Sequence, residues 1–146
     1  MRKLEGDGWK DFVLAAPRPA ICAIVLSDGR PHATPIWIDL DGDDIVFTTW
    51  HEGLKARVLP KDPRVSICVQ DDQPPFAYVT IQGEASVADD LESVKVWAAR
   101  IGGRYMGADR AEEYGRKNGV PGELVVRVRP VKVVGFVEMA GPAATA

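Results

Sequence analysis

The sequence predicts a mainly β domain with a few helices, its six or seven antiparallel strands closed into a small barrel. Three features carry that expectation. Short runs rich in Val, Ile, Thr and Trp are separated by Asp28-Gly29 and Asp41-Gly42, dipeptides that turn one strand into the next. Gly (14) and Pro (11) are raised, as a turn-rich chain requires. Helical periodicity is confined to brief stretches.

In chain order, residues 9–16 (WKDFVLAA) place Trp9, Phe12, Val13 and Ala16 on one helical face, and Pro17 and Pro19 end the run. AICAIVLSDGRPHATPIWIDLDGDDIVFTTW then reads as a three-stranded meander. Its first strand has Ile21, Ala23 and Val25 on one side and Cys22, Ile24 and Leu26 on the other, so both faces call for cover, by a helix or by another subunit. The second contains Pro35, which cannot donate to a ladder and marks an edge, a bulge or a backbone kept free for another use.

Residues 52–60 form one or two helical turns stopped by Pro60. PRVSICVQ resumes the sheet, and FAYVTIQGEASVAD supplies a longer strand in which Gly83 marks a bulge or a close approach. From Asp89 the period changes: Leu91, Val94, Val96, Trp97 and Ile101 fit a helix begun by Asp89 or Asp90 and closed by Gly102-Gly103. A polar helix covers Ala108 to Lys117 and stops at Asn118-Gly119. The tail GELVVRVRPVKVVGFVEM returns to period two, giving one or two closing strands bent at Pro130, and GPAATA is a loose end.

A length of 146 residues accommodates one domain, taken as residues 1–146. A net charge of −3 argues against a surface built for nucleic acid. Cys22 and Cys68 lie in apolar runs without CxxC spacing and read as two reduced, buried thiols. The amino-terminal MRKLEGDGWKDFVL lacks the apolar stretch of a secretory signal and no later run is long enough to span a membrane, so a cytoplasmic location without membrane contact is expected.

Several chemistries find no support. Only His32 and His51 are present, GxSxG is absent, and Cys22 sits within an apolar run, so a nucleophile beside an oriented base is missing. No HExxH or Cys-rich spacing offers a metal site, and the glycines of RIGGRYMGADR follow no nucleotide-loop pattern and read as helix terminators. What stands out is FTTWHEGLKARVLPKDPRVSI (residues 47–67), which puts Lys55, Arg57, Lys61 and Arg64 just behind Thr48 and Thr49. A strand end followed by a helical turn and a lysine has the ingredients of an anion site, although the same segment also reads as a solvated basic turn. Lys55 and Arg57 do not share a helix face, so Lys55 is the first choice for one phosphate and Arg57 would reach a second anion or a neighbouring subunit.

The order and spacing of LSDGRPHATPIWIDLDGDDIVFTTWHEGLKARVLPKDPRVSICV and YVTIQGEASV resemble the flavin and deazaflavin oxidoreductases related to pyridoxamine 5′-phosphate oxidase, and most of all their actinobacterial branch that uses coenzyme F420. The match spans about residues 8–139, the expected core of the domain. It implies a six- or seven-stranded antiparallel split β-barrel, the FMN-binding split barrel. It also implies that His32, Ala33, Thr34, Pro35, Ile36 and Trp37 lay their backbone along a flat cofactor ring, that Thr48 and Thr49 meet the ribityl and phosphate region, and that Lys55 binds the phosphate with Arg57 near it. By the same resemblance the protein is a homodimer, with Phe76, Tyr78 and Gln82 approaching the cofactor across the interface.

The carboxy-terminal Trp/Arg/His segment that holds substrate phosphate in the vitamin B6 oxidases is absent, as are the extra histidines of haem-handling relatives. The resemblance therefore implies a reductase passing a hydride from F420H2 to a small electrophilic acceptor such as an enone, a quinone or a tetrapyrrole. FMN is the alternative cofactor, and a non-catalytic flavin, F420 or haem storage protein is the alternative of another class. F420's longer anionic tail calls for further cations, for which Lys61, Arg64 and Arg104 are candidates. Trp37, Trp50, Phe76 and Tyr78 are candidates for a ring-stacking pocket or for plain core. No residue is identified as catalytic, His32 being the weak candidate for a proton donor.

Overall fold

The computed structural model describes residues 1–141, so all of the expected loose end GPAATA but its first residue lies outside the described residues. The elements run β1 (Arg2–Lys3), α1 (Gly8–Leu14), β2 (Ala20–Val25), β3 (Pro31–Ile36), β4 (Asp39–Asp41), β5 (Asp44–Trp50), α2 (Leu54–Val58), β6 (Arg64–Asp71), β7 (Ala77–Ala88), α3 (Leu91–Met106), α4 (Ala111–Asn118) and β8 (Glu123–Val137). All pairings are antiparallel, in the order β3-β2-β6-β7-β8-β5-β4, with β1 attached to the far end of β8. No helix among the described residues is long and apolar enough to cross a membrane.

Among the described residues the sheet is an open, split barrel of eight strands, counting the very short β1 and β4: the split barrel that the resemblance implies is formed, and the closed one read from the strand pattern is not. The second predicted strand is in fact two, β3 and β4, which sit at opposite ends of the sheet although only Trp37 and Ile38 separate them. Proline chemistry explains why the edges do not zip. The turn after β2 bonds Leu26 N–H to the Arg30 carbonyl, and antiparallel alternation from that pair points the backbone of Pro31, Ala33 and Pro35 away from β2. Two of those three positions have no N–H to offer a further strand, so β3 is the edge that Pro35 signalled.

The sheet curls around a core in which Ile24, Phe47, Ile67, Val79, Ile81 and Val126 meet Trp9 and Val13 of α1. A second cluster forms on the outside, where Val46 and Val125 are covered by Val94, Trp97 and Ile101 of α3. The strands covered twice are therefore β5 and β8. On β2 only the inner face is sealed, and Ile21 remains 44% exposed. Cys22 is buried and its thiol is pushed up to about 11 by desolvation, whereas Cys68, expected to be buried as well, is only half-buried; both are free.

Gly83 behaves as the sequence predicts: the register shifts between Gln82 and Gly83, and a Cβ there would lie 2.5 Å from the Arg129 carbonyl oxygen. β8 passes Pro130 as a single strand, absorbing the proline at that shift. The glycines of α3 correct the sequence reading. The helix does not close at Gly102-Gly103 but runs to Met106 and ends at Gly107, whose φ is +117°. A Cβ on Gly102 would come within 2.2 Å of the Tyr114 Cβ, and one on Gly103 within 2.8 Å of the Ala111 Cβ, so these glycines let α4 lie directly against α3. Gly102→Ala is expected to lower stability by about 1–3 kcal/mol through overpacking, read as an earlier midpoint in urea denaturation.

Candidate functional site

Three elements converge at the open side of the barrel. β5 ends at Thr48, Thr49 and Trp50; a tight turn bonding Gly53 N–H to the Trp50 carbonyl follows, and α2 starts at Leu54. Lys55, on the first turn of α2, reaches across to the edge strand, where its Nζ donates to Thr34 Oγ1 at 2.9 Å. With only five residues, α2 brings little dipole, so the attraction for an anion at this corner is the ammonium charge itself.

Between this corner and the α3–α4 pair lies a cleft of about 420 Å³. Pro35, Ile36 and Trp37 form one wall, Thr48, Thr49 and Trp50 the floor, Ala98, Ile101 and Gly102 of α3 the opposite wall, and Asn118, Glu123 and Lys55 its polar points. Gly102 thus serves twice, admitting Tyr114 on one side and leaving space on the other. Trp37 is 37% exposed and stacks on Tyr105 with centroids 5.1 Å apart and planes 5° from parallel, with Tyr114 edge-on. One of its faces is therefore taken by the protein itself.

The wall is tied to α3 through the backbone of Ile38. Its N–H donates to Tyr105 Oη at 3.1 Å, and its carbonyl accepts from Arg104 Nη1 at 2.8 Å. Tyr105 donates in turn to the Arg18 carbonyl, and Arg104 also donates to the Val13 and Ala16 carbonyls at the end of α1. Arg104 is thereby removed from the cations expected for a ligand tail. Arg64 is likewise held by Asp62 in a two-pronged pair, at 3.0 and 2.8 Å.

The structure gathers Pro35, Ile36, Trp37, Thr48, Thr49 and Lys55 at one cleft, with Thr34 under the Lys55 ammonium. Others lie elsewhere within the chain. Arg57, which the helical offset turns away from Lys55, lines a separate hollow beside the β2–β3 turn together with Lys61. Phe76 and Tyr78 border another hollow near Met139, and Gln82 a third beside Val131. His32 and Ala33 are on β3 but not on the cleft wall, and His51 faces the Gly122 carbonyl at 3.1 Å.

The α3–α4 wall and Glu123 escaped the sequence reading. The signal for Glu123 was its parity with Val125: both lie on the outer, helix-covered face of β8, where a carboxylate is out of place. Burial pushes its carboxyl above the ordinary glutamate range, and the Thr48 side chain, its diagonal neighbour on β5, opposes that rise.

The pyridoxamine 5′-phosphate oxidase family model matches residues 8–135. The chain belongs to that family. Solved structures share the family fold. A conserved hypothetical protein of Mycobacterium tuberculosis superposes with a TM-score of 0.81 at 22% identity, covering 98% of this chain and 92% of its own. An F420 reductase gives 0.68 at 24% identity, covering 84% and 94%. An FAD-binding protein of Mesorhizobium loti gives 0.68 at 18% identity, covering 92% and 93%. No curated relative matches the sequence.

For this member of the family, the tie between α3 and the Ile38 peptide sets the cleft wall. Tyr105→Phe leaves that N–H without its partner and is expected to cost about 1–3 kcal/mol, measured by chemical denaturation against the parent.

Proposed function

We propose that the protein is an F420H2-dependent reductase that transfers a hydride to a small electrophilic acceptor. The observation that carries this reading is the Lys55 ammonium at the mouth of a cleft bounded by an unpaired strand edge. At about 420 Å³ the cleft lies within the range of small-molecule sites. Its polar groups suit the cofactor's parts: a full positive charge and the Thr48 and Thr49 hydroxyls for a phosphate and polyol, and the outward-facing Pro35 carbonyl of the β3 edge for the polar rim of a flat ring.

When bound, reduced F420 supplies the hydride, which is the hard part of the chemistry. The protein's residues neutralise charge, orient and exclude water. Lys55 is already aimed by Thr34 and pays little ordering entropy on meeting an anion. Ala98, Ile101 and the Trp37–Tyr105 stack supply apolar surface that keeps water from the reacting face. A homodimer is part of the proposal, the exposed Ile21 and Val131 being apolar surface that a second copy would cover, and Phe76, Tyr78 and Gln82 of the partner subunit being those expected beside the ring.

FMN is the competing cofactor, and a storage protein would bind without turnover. Fluorescence titration with F420 and with FMN, then addition of F420H2 with quinone, enone and tetrapyrrole acceptors, separates these readings. Saturable binding of F420 with turnover is expected; FMN binding alone would overturn the cofactor assignment, and retention without turnover would favour storage. Lys55→Ala is expected to weaken F420 binding by about 1.5–3 kcal/mol, and unchanged affinity would remove Lys55 from the site.

A further inference from the structure

Two side chains of opposite charge line the cleft, Lys55 and Glu123. Glu123 opens β8 opposite Trp50, half-buried, on the face that α3 covers. Among the described residues it has no ion pair. The basic groups of the surrounding elements are engaged or turned away: Lys95 of α3 pairs with Glu92, Lys117 of α4 lies over the Tyr114 ring, Arg104 holds backbone carbonyls, and Arg57 and Lys61 line another hollow. Burial raises the Glu123 pKa, and the Thr48 side chain opposes that rise by favouring the ionised form, so the Thr48 hydroxyl proton is turned toward the carboxylate. Thr48 then has only its oxygen lone pairs left for a ligand. This end of the cleft offers acceptors, and the Lys55 end offers a cation.

We propose that Glu123 selects among cofactors: it binds the hydroxyls of the polyol chain and, by its negative charge, turns away a chain that ends in a phosphate monoester, as in FMN, while accepting the phosphate diester of F420. This rests on the F420 reading above and names the residue that enforces it. Polyol hydroxyls donate more strongly to a carboxylate than to a neutral oxygen, and the Thr48 oxygen beside it accepts one more. Charge then separates the two ligands. A diester carries one negative charge, which the Lys55 ammonium balances, so nothing is left to repel the carboxylate. A monoester carries close to two above its second pKa of about 6, and the charge left over faces Glu123 within the same small cleft. The remaining carboxylates of F420 follow its diester, on the side away from the polyol.

Fluorescence titrations of the full chain at pH 8 test this, with F420, FMN and riboflavin as ligands; riboflavin has the polyol and no phosphate. Glu123→Gln keeps the shape of the side chain and removes its charge. Relative to the dissociation constant for F420, that for FMN should fall about fivefold or more in Glu123→Gln, the size of one partly screened charge pair. Riboflavin should bind this variant no more tightly than the parent, because it loses an ionised acceptor and has no charge to be repelled. Glu123→Asp, which keeps the charge, should keep the parent's preference for F420 over FMN.

An FMN affinity that Glu123→Gln does not strengthen, or FMN binding absent from parent and variant alike, would overturn the role of Glu123 alone, F420 binding by the parent still supporting the reductase reading. A gain for riboflavin equal to that for FMN would trace the effect to space rather than charge, and would overturn the selection as well. So would a shift toward FMN in Glu123→Asp as large as that in Glu123→Gln. Failure of the parent to bind F420 would overturn the reductase reading and this selection with it.

Discussion

The peptide of Ile38 is the point on which the architecture turns. Here the chain leaves one edge of the sheet and joins the other within two residues, too abruptly for either ladder to serve both its N–H and its carbonyl. Ile38 itself is 1% exposed, and a buried peptide group left unpaired costs at least what an ordinary hydrogen bond contributes. Tyr105 and Arg104, successive residues near the end of α3, supply the acceptor and the donor. Because Arg104 also holds the carbonyls that end α1, one guanidinium fixes α1, the strand crossover and α3 in a single arrangement.

The cleft is a consequence of that arrangement. An open barrel has two edges to protect, and an uncovered edge invites aggregation. Prolines silence part of β3, and β4 is only three residues long. α3 is drawn across the gap by its bonds to Ile38, and α4 seats against it through Gly102 and Gly103. The helices cannot touch the sheet end at Thr48 and Trp50 while they are held at Ile38, and the interval between is the cavity. The same tie stacks Trp37 on Tyr105, so the wall is braced by the protein's own side chains.

Charge is distributed with similar economy. Of the cations that the sequence clusters behind Thr49, only Lys55 lines this cleft; Arg57 and Lys61 turn to another hollow and Arg64 is neutralised by Asp62. The acidity of the chain as a whole says nothing about this local pattern.

Backbone rules were legible in the sequence because they act locally. Alternation with Asp-Gly turns marked the strands, Pro35 marked an edge whatever lay beyond it, and Gly83 marked a close approach. Threonines followed by Lys55 marked one corner of the cleft, since a strand end and the next helical turn are neighbours in any fold. Beyond that, local grammar misled. Gly102-Gly103 obeyed the pattern of a helix stop, and only the approach of α4 shows that the missing Cβ atoms are steric vacancies. Arg104 reads as a free cation until Ile38, Val13 and Ala16 are brought to it from far along the chain. Glu123 reads as a surface residue until α3 covers its face of β8. What the sequence determined by itself were dihedral preferences and the two-residue period; which edges stay unpaired, which cations are free and which carboxyl is desolvated depend on contacts between distant segments, and only the tertiary structure decided them.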